Sequence, residues 1–419
     1  MAGIMAGQTV RTEQKKEKKL NAAFYILIVF PIVFCISIQL NIVSVPVPPE
    51  FILKPVGKYL VNKFEENKIP DGLARLGTRI ILRRDLENDR KLSGPEGSEQ
   101  QREYLQNFTA DLRTRNIAEL TKTANEQHYE VDTRFYNLVL GKHHKYSSAL
   151  YPTADTDVSD ALTLLDEAED RMLQLYAKRA RITKEDSFRV MDLGCGWGSV
   201  TLWFAKNFPK STFIGLSNSK TQREYIMNKA KKDGLKNVNV LTGDITTYQL
   251  PKNVNKFDRI ISIEMFEHMK NYELLLHKIS NNFLKSNGLL FVHIFVAHHF
   301  PYHFVAREND PASWMAEHFF SGGTMPKDDT LTSFQKDVHL LDQWRVNGKH
   351  YSLTLEAWLQ KMDKNLDQVQ TLFKEIYGEK NVILWTARWR AFFFVCSELF
   401  KFNDGHEWYV AHYLFENRN

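Results

Sequence analysis

Two glutamates and a histidine stand close together in the middle of the chain: Glu264, Glu267 and His268. The glutamates are three residues apart, so a helical turn would place both carboxylates on one face. A pair of carboxylates beside a histidine can attract a protonated amine, hold it and accept its proton. A capping or surface role for the glutamates and a loop-anchoring role for His268 are the structural alternatives. The pattern predicts an amine site with an acid–base function.

A second candidate site is a glycine-rich turn that follows a short apolar run. Asp192 stands near the end of the run, and Gly194, Gly196 and Gly198 follow at alternate positions. Glycines in such a turn let a ligand approach the backbone closely at the carboxyl end of a strand. The spacing differs from that of the dinucleotide fingerprint. An acid before the turn suits a cationic ligand, such as a sulfonium amino acid, better than a pyrophosphate.

Alternating strand and helix patterns position both sites. Between about residues 188 and 297 the alternation indicates βαβ units and a parallel sheet. The predicted strands are residues 188–193, 211–217, 237–241, 256–266 and 288–296. The glycine-rich turn follows the first strand and Glu264 lies near the end of the fourth. Both sites are therefore expected at the carboxyl edge of the sheet, where such folds bind ligands.

The turn with Asp192 in front resembles motif I of the class I methyltransferases. The resemblance implies an α/β, Rossmann-like fold with a seven-stranded, mostly parallel sheet, and S-adenosyl-L-methionine as the cofactor. It also implies adenine contacts at the end of the third strand, at Asp244 and Ile245. The second strand departs from the pattern, because it ends in Ser217 and Asn218. The acid that usually holds the ribose hydroxyls is absent, so other groups must do this.

Further motifs resemble the plant coclaurine N-methyltransferases, which are relatives of the bacterial cyclopropane fatty-acid synthases. The motifs are residues 127–130 (QHYE), 146–148 (YSS), 264–272 (EMFEHMKNY), 319–326 (FFSGGTMP), 346–351 (VNGKHY) and 362–365 (MDKN). The likeness runs from about Lys58 to the C-terminus. It implies an enzyme that transfers a methyl group to a small aromatic or lipophilic amine.

Carried over position by position, the resemblance completes the cofactor site. Tyr146 and Ser147 correspond to a loop that closes over the cofactor. Together with the glycine-rich turn and the later strands, the predicted cofactor-binding residues are Tyr146, Ser147, Asp192, Gly194, Gly196, Gly198, Leu216, Ser217, Gln222, Asp244 and Ile245.

The resemblance also bears on the reaction. In cyclopropane synthases a cysteine, a glutamate, a histidine and a tyrosine hold a bicarbonate base. The matching positions here are Ser148, Glu267, His293 and Tyr351, so the cysteine is missing. Glu264 stands where those enzymes tend to have a small residue, and it matches a carboxylate of the amine methyltransferases. The predicted catalytic residues are therefore Glu264, Glu267, His268, His293 and Tyr351.

The N-terminal part of the chain predicts membrane attachment. Residues 1–21 form a basic tail, and residues 20–49 carry no charge. The most apolar part would reach roughly 28 Å as a helix, enough to cross a bilayer core. We predict a membrane segment at residues 22–48, which either spans the bilayer or bends near Pro31 and returns to the same face. A buried core helix and a cleaved signal peptide are the alternatives.

The membrane segment raises a question of sidedness. Basic residues lie mainly before it, so the positive-inside rule would place the domain beyond a single span on the far side of the membrane. The methyl donor, however, is made in the cytosol. We expect a catalytic domain in the cytosol, attached to a membrane such as that of the endoplasmic reticulum.

Composition limits the other possibilities. Of 419 residues, 43% are hydrophobic and 25% charged, which is typical of a globular protein. The three cysteines provide no disulfide framework and suit a reducing compartment. Neither zinc-type spacing nor a common nucleic-acid-binding motif occurs, so we predict no metal site and no nucleic-acid partner.

The predicted organisation is a helical N-terminal region at residues 56–180, with a polar linker at residues 83–101, and a catalytic domain at residues 181–419. Two further functions stay open beside amine methylation. Methylation or cyclopropanation of a lipid acyl chain is favoured by the membrane segment and disfavoured by Ser148 and Glu264. A catalytically silent membrane scaffold would have no reason to keep the glycine-rich turn and Tyr351 intact.

Overall fold

The computed structural model describes residues 59–119, 132–251, 254–306 and 313–419. The predicted basic tail at residues 1–21, the membrane segment at residues 22–48 and the QHYE motif at residues 127–130 lie outside these ranges. Within them, no helix is both long and apolar enough to cross a lipid bilayer.

A seven-stranded sheet forms the centre of the described fold. The described residues form nine strands in all, seven in this sheet and two in a separate pair. They are β1 (Arg189–Leu193), β2 (Thr212–Ser217), β3 (Val238–Thr242), β4 (Phe257–Ile263), β5 (Leu284–Ala297), β6 (Tyr302–His303), β7 (Thr324–Met325), β8 (Val338–Val346) and β9 (Trp408–Asn417). The sheet has the order β3-β2-β1-β4-β5-β9-β8, and β6 pairs separately with β7. Strand β9 runs antiparallel to both of its neighbours, β5 and β8, and the remaining neighbouring pairs in this sheet are parallel. The predicted Rossmann-like, mostly parallel sheet is confirmed.

Two apolar layers cover the sheet, because side chains alternate between its faces. Val190 and Ile261 belong to one buried cluster, while Met191 and Ile260 belong to the other. Burial on both faces explains why apolar residues stand next to each other at positions 190–191 of β1 and 260–261 of β4.

Helices supply both layers. They are α1 (Asp71–Ser93), α2 (Glu99–Thr114), α3 (Thr133–Val139), α4 (Ala161–Arg179), α5 (Ser199–Asn207), α6 (Lys220–Lys232), α7 (Tyr272–Lys278), α8 (Trp314–His318), α9 (Gly348–Lys364), α10 (Leu366–Tyr377) and α11 (Val382–Phe400). The last three lie between β8 and β9 in the sequence. Helix α9 packs against α4 and α11, and α11 packs against α1.

The predicted polar linker at residues 83–101 was wrong. Helix α1 continues through residue 93 and α2 begins at residue 99, so only a short turn separates them. The polar side chains of α1 are used in ion pairs; Arg90 Nη2, for example, lies 2.9 Å from Oε2 of the buried Glu407. Long-range pairing of this kind has no local signature in the sequence.

Ion pairs also join α1 to the C-terminal helices. Arg75 donates to both carboxylate oxygens of Glu356, at 2.6 and 2.9 Å, and to Glu398 at 3.2 Å. Both glutamates are buried, so each carboxylate depends on its cationic partners to offset the hydration it has lost. The N-terminal helices are therefore packed onto the same body as the sheet.

Candidate active site

A cavity lies at the carboxyl ends of β1, β2, β3 and β4. Every predicted cofactor-binding residue except Gly198 lines it: Tyr146, Ser147, Asp192, Gly194, Gly196, Leu216, Ser217, Gln222, Asp244 and Ile245. Two of the predicted catalytic residues, Glu264 and His268, line it as well. The sheet topology thus brings together residues that are more than a hundred positions apart in the sequence.

The glycine-rich turn requires left-handed backbone, which favours glycine. The φ angles are 80° at Gly194, 50° at Gly196 and 80° at Gly198. A β-carbon at Gly196 would meet no atom within 4 Å, so the backbone there is open to a ligand. A β-carbon at Gly194 would lie 2.7 Å from Cγ of Met265.

Gly198 has a different role from the one that the sequence predicted. It caps the N-terminus of α5 and does not line the cavity. A β-carbon at this position would lie 2.6 Å from Cγ1 of Ile226 on α6. Gly198 therefore permits close packing of α5 against α6.

Asp192 fixes the helix that follows the turn. Its Oδ2 accepts hydrogen bonds from the backbone N–H of Thr201 at 3.1 Å and from its hydroxyl at 2.7 Å. Burial raises the pKa of Asp192 to about 6, and the Thr201 hydrogen bonds oppose that rise. The acid thus acts partly through the structure of α5, besides lining the cavity.

The end of β2 shows what stands in place of the missing acid. The Ser217 hydroxyl donates to Oε1 of Gln222 at 2.7 Å, and it accepts from the backbone N–H of Ser219 at 3.0 Å. The amide nitrogen Nε2 of Gln222 is buried and has no hydrogen-bond partner among the described residues. Because Gln222 lines the cavity, this nitrogen is available to donate to a ligand oxygen.

A buried lysine, which the sequence analysis missed, holds the loop at residues 146–148. Lys145 Nζ donates to the Ser147 hydroxyl at 2.5 Å and to the Ser148 carbonyl at 2.6 Å. Its side chain is 1% exposed, and burial lowers its pKa to about 8. Lysines are seldom this buried, but nothing in the local sequence marks the position.

Glu264 lies just beyond β4 in an unusual conformation. Its φ angle is 48°, which for a residue other than glycine costs on the order of 1–3 kcal/mol. Three groups compensate by contacting its carboxylate. Oε1 lies 3.0 Å from the Ser148 backbone nitrogen and 3.0 Å from Nε2 of His293, while Oε2 accepts from the Tyr351 hydroxyl at 2.5 Å.

Two opposing influences act on the pKa of the Glu264 carboxyl group. Burial raises the pKa of Glu264 above its ordinary value. The ammonium group of Lys145, the Tyr351 hydroxyl and the Ser148 N–H oppose that rise, because each stabilises the carboxylate. The site therefore combines a desolvated carboxylate with donors that support its ionised form.

The prediction that a helical turn places Glu264 and Glu267 on one face was wrong. The turn covers only residues 266–268 and is a 3₁₀ helix, while Glu264 precedes it in left-handed backbone. Glu267 is fully buried, and its Oε1 accepts from the Phe295 backbone N–H at 2.8 Å. Burial and the charge of Glu264 hold the pKa of Glu267 well above its usual range. This environment favours the neutral form of Glu267, which lies behind the cavity wall.

His268, in contrast, lines the cavity beside Glu264. Its ring centroid lies 4.8 Å from that of Phe320, and burial lowers its pKa to about 4. The imidazole is therefore neutral at neutral pH. His293 and Tyr351 do not line the cavity; they contact Glu264 from behind.

The residues of the cavity fit S-adenosylmethionine. The backbone is open at Gly196, and Gln222 presents an unpaired donor. The acidic side chains of Asp244 and Glu264 line the same space, which suits a sulfonium cation. The glycine-rich turn, Gln222 and the loop at Tyr146 are the groups that would hold it.

Comparisons with known proteins agree with this fold. The family model for mycolic acid cyclopropane synthetase matches residues 118–407. The (S)-coclaurine N-methyltransferase of Thalictrum flavum subsp. glaucum is 37% identical over 363 residues, which cover 86% of this chain and 95% of that protein.

Two solved structures extend the comparison. Coclaurine N-methyltransferase bound to N-methylheliamine and SAH has a TM-score of 0.77 and 34% identity, covering 86% of this chain and 99% of that one. A cyclopropane synthase from Mycobacterium tuberculosis has a TM-score of 0.56 and 17% identity, covering 72% and 100%, and shares the fold. The chain thus belongs to the mycolic acid cyclopropane synthetase family, as an S-adenosylmethionine-dependent methyltransferase similar to the plant coclaurine N-methyltransferases.

Proposed function

We propose that this enzyme N-methylates a small aromatic or lipophilic amine, and that the Glu264 carboxylate attracts the amine and takes up its proton. The position of that carboxylate carries the proposal. It lies among Ser148, His293 and Tyr351, which are three of the four positions that the resemblance to cyclopropane synthases assigns to a bicarbonate site. A carboxylate of the chain itself occupies the place of an external base.

The serine at position 148 is compatible with this arrangement. Its backbone N–H, and not its side chain, contacts Glu264. Its hydroxyl donates to the Ala149 carbonyl at 3.2 Å and is buried. No cysteine is needed to hold a carboxylate that is covalently part of the chain.

The chemistry requires a neutral nitrogen. S-adenosylmethionine, when bound, supplies an electrophilic methyl group. Ionised Glu264 attracts an ammonium ion and accepts one proton from it, which frees the nitrogen lone pair. General-base assistance of this kind is typically worth about 10²–10⁴ in rate.

The remaining cavity wall suits an apolar amine. Ile263, Met265 and Met269 line the cavity beside Glu264. The neutral ring of His268 does not repel a cationic substrate and can hydrogen-bond with a polar substituent. The proposed substrate class agrees with the N-methyltransferase relatives.

The proposal includes the predicted membrane segment. An enzyme held at a membrane by residues 22–48, with its catalytic domain on the cytosolic side, would meet both the cytosolic methyl donor and a lipophilic amine that partitions into the bilayer.

The decisive experiment offers the purified full chain a labelled methyl donor with a panel of aromatic amines and, in parallel, vesicles of unsaturated phospholipid. We expect label in the amines. The nearly isosteric change Glu264→Gln should lower amine turnover by about 10²–10⁴-fold, far more than it lowers cofactor affinity. Restoring the cysteine with Ser148→Cys should not by itself yield cyclopropanated lipid.

Two results would contradict the proposal. Cyclopropane fatty acids from the wild-type enzyme, without methylated amine, would assign it to lipid modification. Cofactor binding without transfer to any acceptor would favour a catalytically silent scaffold.

A further inference from the structure

A row of side chains crosses the sheet behind Glu264. The strand register pairs His293 of β5 with His412 of β9, and pairs His412 with Trp344 of β8. Residues directly opposite each other on neighbouring strands point to the same face of the sheet. Both histidines are fully buried. A continuous line of rings therefore leads from the active site toward the edge strand of the sheet.

Hydrogen bonds follow this row. Nε2 of His293 lies 3.0 Å from Oε1 of Glu264, and Nδ1 of His293 lies 2.9 Å from Nε2 of His412. Nδ1 of His412 lies 2.5 Å from Nη1 of Arg179, the last residue of α4. The Arg179 guanidinium lies over the Trp344 ring, 4.8 Å from its centroid.

Arg179 determines which group donates and which accepts in each hydrogen bond from Arg179 through the two histidines to Glu264. A guanidinium can only donate, so Nδ1 of His412 must accept. The His412 proton then lies on Nε2, which donates to Nδ1 of His293. The His293 proton in turn lies on Nε2, which donates to Glu264. A second proton on either ring would place two N–H groups against each other, so both rings are neutral.

No acidic side chain in the described part of the protein neutralises the charge of Arg179 at the surface end of this series of hydrogen bonds. None of the ion pairs among the described residues includes it. Asp328, in the same surface groove, is instead bound by Arg345 and by the Tyr409 hydroxyl. Burial lowers the pKa of Arg179 to about 10, so the group is still charged at neutral pH.

We propose that Arg179 and His412 are positioning residues of the active site, which fix the His293 tautomer that donates to the Glu264 carboxylate. Neither residue lies in the cavity. Their effect on the reaction rests on the proposed function of Glu264, whereas the tautomers follow from the hydrogen-bond chain alone.

Other groups also act on the Glu264 charge. From the surrounding elements these are Lys145, Ser148, Tyr176, Glu267, His268, His293, Tyr351 and Cys396. The Tyr176 hydroxyl lies 2.9 Å from Nδ1 of His293 and can donate to the same atom as His412 does. The effect of Arg179 on the pKa of Glu264 is therefore measured as the difference between Arg179→Met and wild type.

The first test reads the tautomers directly. Two-bond ¹H–¹⁵N correlation spectra are recorded on the full-length enzyme labelled with ¹⁵N-histidine, and signals are assigned by loss in His293→Gln and His412→Gln. We expect wild-type His293 and His412 to be neutral and protonated on Nε2. Protonation of His293 on Nδ1 would overturn the proposal, and this result does not depend on a substrate.

The second test is kinetic and uses Arg179→Met. Glu264 works in its ionised form, so weaker support from His293 raises its pKa and moves the acid limb of kcat/KM to higher pH. We expect a shift of about 0.5–1 pH unit, with cofactor affinity unchanged. Arg181→Met is the matched control, because it removes a charge two residues away that pairs with Asp342 at 2.9 Å. Coincident profiles for Arg179→Met and wild type would overturn the proposal.

Discussion

The Tyr351 hydroxyl lies 2.5 Å from Oε2 of Glu264, although 87 residues separate the two in the sequence. Helix α9 carries the tyrosine and the end of β4 carries the glutamate, so the contact depends on the packed fold. A hydroxyl that donates to a carboxylate stabilises the ionised form and opposes the effect of burial on its pKa. Tyr351 thus widens the pH range over which the Glu264 carboxylate is ionised.

Tyr351→Phe tests this relationship. Loss of a hydrogen bond to a charged group typically costs about 1.5–3 kcal/mol, which corresponds to about one to two pKa units. Because the pKa of Glu264 rises, activity should be lost at a higher pH as the pH falls. Profiles of kcat/KM against pH measure the shift, and Tyr409→Phe, which removes a hydroxyl 2.7 Å from Asp328, serves as control. If the Tyr351→Phe profile matched that of wild type, Tyr351 would not support the carboxylate.

Glu267→Gln should have a much smaller effect than Glu264→Gln. Burial and the charge of Glu264 raise the pKa of Glu267 and so favour its neutral form, and a glutamine oxygen can still accept from Phe295 N–H. We expect kcat/KM to fall less than about tenfold, as for the loss of one ordinary hydrogen bond. Parallel assays of the two variants measure the difference. Equal losses would mean that Glu267 contributes charge to the reaction after all.

Gly196→Ala should abolish cofactor binding without unfolding the chain. The new β-carbon would meet no protein atom, so the space it takes is that of the ligand. Gly234→Ala is the matched control, because Gly234 also has a positive φ, of 71°, and open space around it, but lies outside the cavity. Each change should cost about 1 kcal/mol of stability from backbone strain. Calorimetric titration with S-adenosylmethionine should show lost binding only for Gly196→Ala; equal binding by both variants would remove the turn from the cofactor site.

Asn107 reports on which side of a membrane the domain lies. Residues 107–109 (NFT) form a glycosylation acceptor, and Asn107 is exposed on α2. With the domain in the cytosol, we expect no sugar there when the protein is expressed in a eukaryotic cell. A mass shift that an N-glycosidase removes, and that Asn107→Gln abolishes, would place the domain in the lumen.

The elements that local patterns determine were predictable. Strands β1 to β5 begin and end within a few residues of the predictions, because apolar runs and the glycine-rich turn mark them. The conformation of Glu264 was not predictable, since it depends on contacts with Ser148 and Tyr351 from distant parts of the chain. The end of α1 was missed for the same reason.

The candidate site was predicted more completely on the side of the cofactor than behind Glu264. Lys145 has no local signature, because its burial results from the loop that packs over it. His412 stands in an apolar strand whose pairing with β5 could be known only from the sheet register. The family motifs pointed to residues that line the cavity, but not to Arg179 and His412.

The antiparallel insertion of β9 between β5 and β8 has a consequence for biosynthesis. During translation β9 leaves the ribosome after every other described element, so β5 and β8 are made with no partner between them. Unpaired edges of this kind invite intermolecular pairing and aggregation. In a nascent chain, the position between β5 and β8 is therefore empty until β9 is made. Until β9 pairs with β5, His293 has no contact with His412. Pairing of the ten-residue strand β9 therefore both covers the facing edges of β5 and β8 and brings His412 to His293.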